Sequence, residues 1–68
     1  KVEMTLPPEH AEKVHAMLQL VGIPHNYIDI EKYVLFNCYC ATQAESARVR
    51  TIANDFEAKY FVSESKTL

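Results

Sequence analysis

Hydrophobic and polar residues alternate from Lys1 to Leu6, with Val2, Met4 and Leu6 on one side and Lys1, Glu3 and Thr5 on the other. A period of two predicts a strand with one buried face. Pro7-Pro8 ends it, and proline suits the first helical turn, where its missing N–H has no partner to lose. From Glu9 to Val21 the spacing changes to three and four (Ala11, Val14, Leu18, Val21), which predicts an amphipathic helix widened by Met17. Glu9 and Lys13 make an i,i+4 pair on it. Gly22 is placed to end that helix in the left-handed conformation, Ile23 supplies the hydrophobe beyond it, and Pro24 blocks continuation.

His25–Ile30 reads as a second strand and Tyr33–Cys40 as a third, broken by Glu31-Lys32. One continuous strand through both would span roughly 40 Å at ~3.3 Å per residue, too long for so small a domain, so a hairpin is predicted. A two-residue loop would set Ile30 beside Tyr33. A loop with an odd number of residues, Ile30 to Lys32, keeps Ile28 and Ile30 in phase with Val34 and Phe36, and is the expectation adopted. Thr42-Gln-Ala-Glu45 forms a capping box. The helix after it should bury Val49, Ile52, Phe56 and Tyr60, with Asp55 and Lys59 as a second i,i+4 pair. Phe61–Glu64 reads as a short last strand and Ser65–Leu68 as a tail. The order β-α-β-β-α-β over residues 1–68 predicts one α+β domain. Two amphipathic helices with four strands in that order suggest a ferredoxin-like sandwich, both helices on one face of a four-stranded antiparallel sheet.

The third strand raises a problem of coverage. Its even positions, Val34, Phe36, Cys38 and Cys40, are uniformly apolar and are assigned inward. The odd positions, Tyr33, Leu35, Asn37 and Tyr39, then look away from the helices, joined by Tyr27 and Asp29 from the neighbouring strand. Helices can cover only one face, so an aromatic surface is left open.

Composition narrows what that surface meets. At 68 residues the chain sits near the lower limit for an unstapled core. A net charge of −2 argues against nucleic acid, whose binding rests on cations. RNA-recognition sheets do carry outward aromatics, but they also need glycines and basic flanks missing here, and Glu3, Asp29 and Glu31 would repel phosphates. There is no hydrophobic run long enough for a membrane span. Cys38 and Cys40 lie too close along one strand for an unstrained disulfide. Both are expected to be reduced and buried, which suits a cytoplasmic protein.

Candidate chemistry is sparse. Glu12-Lys-Val-His15 has the Glu-x-x-His spacing of di-iron bundles, but a second copy is lacking and both side chains are expected on the solvated flank. Cys38-x-Cys40 falls short of a closed zinc site. His10 reads as a packed imidazole. A cysteine–histidine dyad with His10 or His25 would need an exposed, acidic thiol. One glycine rules out the glycine-rich phosphate loops. The expectation is therefore a non-enzymatic protein-interaction module, without metal or cofactor. It would form a homodimer, or dock another protein, through Tyr27, Tyr33, Leu35, Asn37 and Tyr39. The alternatives are a small-ligand-sensing regulatory domain binding at a dimer seam, and a small host- or phage-encoded inhibitor of a larger protein machine.

Overall fold

The computed structural model describes residues 1–62. The elements run β1 (Val2–Leu6), α1 (Pro8–Leu20), β2 (His25–Ile30), β3 (Tyr33–Cys38), α2 (Gln43–Asp55) and β4 (Lys59–Val62). The four strands form one antiparallel sheet in the order β2-β3-β1-β4. β1 and β3 are therefore central, and β2 and β4 are the edges. Across the β1–β3 ladder Val2 faces Cys38, Met4 faces Phe36 and Leu6 faces Val34.

Those six side chains are all buried, and they share one cluster with Val14 and Leu18 of α1, Val49, Ile52 and Ala53 of α2, and Ile23. Both helices thus pack on the same face, the one bearing the even positions of β1 and β3. Phe36 is the largest fully buried side chain and lies mid-strand, opposite Met4. Burying a side chain of this kind contributes ~1.5–3 kcal/mol. Among the described residues no polar or charged side chain is buried, so this small core carries no desolvation cost from unpaired groups.

Both helices end by the same device. Gly22 has φ +75°, its N–H donates to Gln19, and the Ile23 N–H donates back to the Leu18 carbonyl. After α2, Glu57 has φ +54°, its N–H donates to Asn54, and the Ala58 N–H donates to the Ala53 carbonyl. A left-handed residue followed by a 6→1 hydrogen bond is the Schellman arrangement. α2 starts on the predicted cap: the Glu45 N–H donates to Thr42 Oγ1 at 3.1 Å, and Glu45 Oε1 accepts from the Ala41 N–H at 2.8 Å. The glutamate thus reaches one residue further back than a standard capping box requires.

Four expectations are corrected. The β2–β3 loop has two residues, Glu31 and Lys32, so Ile30 pairs with Tyr33, Ile28 with Leu35 and Tyr27 with Phe36. Two-residue hairpin loops need left-handed backbone to match strand twist, and Glu31 provides it at φ +40° without a glycine. α2 ends at Asp55, before Tyr60, which lies in β4. β4 begins at Lys59, earlier than predicted, while Ser63, Glu64 and the tail at 65–68 lie outside the described residues. Cys40 lies beyond the end of β3 and is half-buried, whereas Cys38 is fully enclosed.

Candidate interaction face of the sheet

Register assigns every strand residue to a face. The side away from the helices carries Asn26, Ile28 and Ile30 from β2, Tyr33, Leu35 and Asn37 from β3, Glu3 and Thr5 from β1, and Lys59 and Phe61 from β4. Ile28 is 53% exposed, Ile30 36%, Tyr33 42% and Phe61 73%. Ile28, Ile30, Tyr33 and Leu35 are two adjacent register pairs, so they form a contiguous apolar patch over the β2–β3 half of the face.

The patch is bounded by polar groups. Asn37 Nδ2 donates to Asn26 Oδ1 at 3.0 Å, and Asn26 Nδ2 donates to the Tyr39 hydroxyl at 3.1 Å. The Tyr39 N–H donates to the Pro24 carbonyl at 2.8 Å, which ties the exit of β3 to the entry of β2. On the β1 side Lys1 Nζ and Glu3 Oε2 form an exposed ion pair at 3.4 Å. A shallow depression of about 430 Å³ at the other end of the face is lined by Thr5, Leu6, Pro7, Lys32, Tyr33, Glu57 and Lys59.

Of the five residues predicted for this face, Tyr33, Leu35 and Asn37 share it in register, and Tyr39 continues it past the strand through its hydroxyl bond to Asn26. Tyr27 does not. Being opposite Phe36, it turns to the helix side, where its ring lies 5.3 Å from Phe36 and 5.5 Å from His15. Asp29, opposite Val34, leaves the open face with it. Ile28 and Ile30 take their places, which makes the patch more apolar than predicted. Loop parity alone decides this exchange, and a one-residue slip moves every β2 side chain to the other face.

The reactive groups are disarmed or engaged elsewhere. Burial, with a further contribution from neighbouring Cys40, pushes the Cys38 thiol from its ordinary 9.0 up to about 12. Burial also raises the Cys40 thiol. His25 is the β2 partner of Cys38 in register, yet its ring nitrogens bond to Ile23 and His15, so no thiolate–imidazole pair is assembled. His10 packs against Phe56 with ring centroids 5.5 Å apart. Glu12 is exposed, as expected, but His15 is half-buried against His25 and not on a solvated flank. Among the described residues no helix is long and apolar enough to cross a membrane. Comparison of the chain with known protein families, with curated proteins and with solved structures returns no match.

Proposed function

We propose that this chain is a non-enzymatic interaction module that forms a homodimer through the open face of its sheet. The observation that carries the reading is the apolar patch of Ile28, Ile30, Tyr33 and Leu35, which lies on the sheet face away from both helices, while the opposite face of the central strands β1 and β3 is buried in the core. A two-fold interface must match itself, so a residue contacting its counterpart's neighbour is contacted in return. A two-fold axis near Ile28 and Leu35 lays apolar patch on apolar patch. Glu3, Lys59 and the Asn26–Asn37–Tyr39 group then fall at the rim, where polar residues are tolerated. Tyrosine, enriched at interfaces, supplies area at small entropic cost. For the fold we infer the ferredoxin-like sandwich, supported by the element order, the β2-β3-β1-β4 strand order and the one-sided placement of both helices.

Size bounds the strength of such a dimer. Four strands about 4.8 Å apart and five residues long cover roughly 300 Å² in projection, and side-chain relief raises the accessible area above that. A standard interface takes ~800 Å² per partner, so this one belongs to the small, reversible class. Sedimentation equilibrium from low micromolar to millimolar chain should show a monomer–dimer equilibrium that Leu35→Glu abolishes while the melting temperature holds. A wild-type chain that stays monomeric at millimolar concentration ends the proposal. Association that survives Leu35→Glu and Ile28→Asp together assigns it to another surface.

A further inference from the structure

His15, on α1, and His25, at the start of β2, are brought edge to face with ring centroids 4.9 Å apart. His15 Nδ1 and His25 Nε2 point at one another across 2.7 Å. On the far side of its ring His25 Nδ1 donates to the Ile23 carbonyl at 2.9 Å. A carbonyl can only accept, so the neutral ring carries its proton on Nδ1 and aims the Nε2 lone pair at His15. A backbone carbonyl holding the outer nitrogen of an imidazole is the arrangement that orients metal-ligating histidines. Neighbouring rings fix both side chains further: Phe36 stacks on His25 with centroids 6.1 Å apart, and Tyr27 meets the edge of His15 at 5.5 Å. Both histidines are half-buried, so solvent reaches part of each residue.

We propose that His15 and His25 form a two-point chelate for a divalent first-row metal of the class that imidazole prefers, Zn²⁺, Ni²⁺ or Cu²⁺, at one ion per chain. Two metal–nitrogen bonds of ~2.0–2.1 Å span roughly 3.3 Å at a tetrahedral angle and roughly 2.9 Å at a right angle. From 2.7 Å the nitrogens must part by roughly 0.2–0.6 Å, and each ring must turn by roughly 35–45° so that the two lone pairs, which now face along the hydrogen bond, converge on one ion. In the neutral pair the hydrogen shared between the rings sits on His15 Nδ1. As the metal enters, that proton passes through water to Nε2 of the same ring, leaving two lone-pair donors and no net change in bound protons. Among the described residues no group of three or more His, Cys, Asp or Glu gathers that could hold a metal, so water fills the other positions. Such a site is exchangeable, and it clips helix α1 to the edge strand β2. It uses the helix-covered side of the sheet and is independent of the dimer reading.

The test is titration of the chelator-stripped chain with NiCl₂, ZnCl₂ and CuCl₂, followed by calorimetry and thermal unfolding. One ion per chain is expected, with Cu²⁺ held more tightly than Ni²⁺. At ten times the dissociation constant the melting temperature should rise by roughly 5–10 °C. His15→Gln and His25→Gln should each weaken binding tenfold or more, and Cys40→Ser should leave it unchanged. Should either glutamine variant fail to fold, substoichiometric Cu²⁺ on the unaltered chain decides the matter, since its paramagnetism should broaden the ring resonances of His15 and His25 first. No saturable binding at millimolar metal, binding that persists in both variants, or broadening centred on other residues would each overturn the proposal.

Discussion

Thiol chemistry can report which face of β3 is inside, because the two cysteines differ in enclosure by a measurable factor. Cys38 is fully buried between the sheet and the helices, and its thiol titrates at about 12 where an ordinary one titrates at 9.0. At pH 8 roughly a tenth of an ordinary thiol is ionised, against about one part in ten thousand for Cys38, and only the thiolate attacks. Electrostatics alone therefore slows it about a thousandfold, before any barrier to reagent entry. Cys40, half-buried beyond the strand end, is raised by burial but remains reachable. A chromogenic disulfide reagent at pH 8 should give two phases, each of one thiol. Mass spectrometry should place Cys40 in the first and Cys38 in a second at least about a hundredfold slower. Cys40→Ser should leave the slow phase alone. If Cys38 in the folded chain reacts within tenfold of its rate in the unfolded chain, Val34, Phe36 and Cys38 are not inside. Tyr33 and Leu35 would then be core, and the proposed interface would vanish with them.

Other perturbations follow from the same packing. Because the unfolded chain gives up the Cys38 proton near 9 while the native chain holds it to about 12, this contribution to stability is complete below pH 9 and is lost as pH rises toward 12. The slope reaches up to about 1.4 kcal/mol per pH unit. Urea midpoints at pH 8.5 and 10.5 should show the loss, and Cys38→Val should remove most of it, leaving the part that comes from the raised Cys40 thiol. Glu57→Gly relieves a left-handed glutamate at φ +54° and should stabilise the chain by about 0.5–1 kcal/mol, read as a higher melting temperature. Thr42→Ala removes the acceptor for the Glu45 N–H and should cost ~1 kcal/mol in the same assay. Phe36→Ala empties the centre of the core at a cost of ~3–5 kcal/mol, comparable with the whole stability of so small a domain, and circular dichroism should find that variant largely unfolded.

The readable parts of the chain were those governed by neighbours in sequence. β1 could be placed by strict alternation between Val2 and Leu6, and α1 by Pro8 at one end and Gly22 at the other. Thr42 marked the start of α2 through its own hydroxyl. The misread parts depend on backbone states that residue type does not announce. Glu31 and Glu57 take left-handed conformations that glycine usually signals, so residue pattern alone lengthens the β2–β3 loop by one residue and extends α2 to Tyr60. The first error put Tyr27 on the open face and hid Ile28 and Ile30. The contact of His15 with His25 was invisible for a different reason. It exists only once α1 has packed across the sheet, and neither histidine belongs to a motif that names the other.

The sheet's strand order also sets a folding problem. The hairpin of β2 and β3 closes through two residues and can form at once, but its outer strand is the exposed edge and contributes almost nothing to the core. The pairing that does bury side chains joins β1 to β3, and even its shortest connection, Leu6 to Val34, encloses α1, β2 and the turn between them. Closing a flexible loop of about thirty residues costs roughly 3 kcal/mol of chain entropy, due before Phe36 and Met4 can repay it. The transition state should therefore already have brought β1 onto β3, so that truncations at Met4 slow folding while truncations on β2, such as Ile28→Ala, mainly speed unfolding. For this chain, the local contacts form early and the distant ones decide whether it folds.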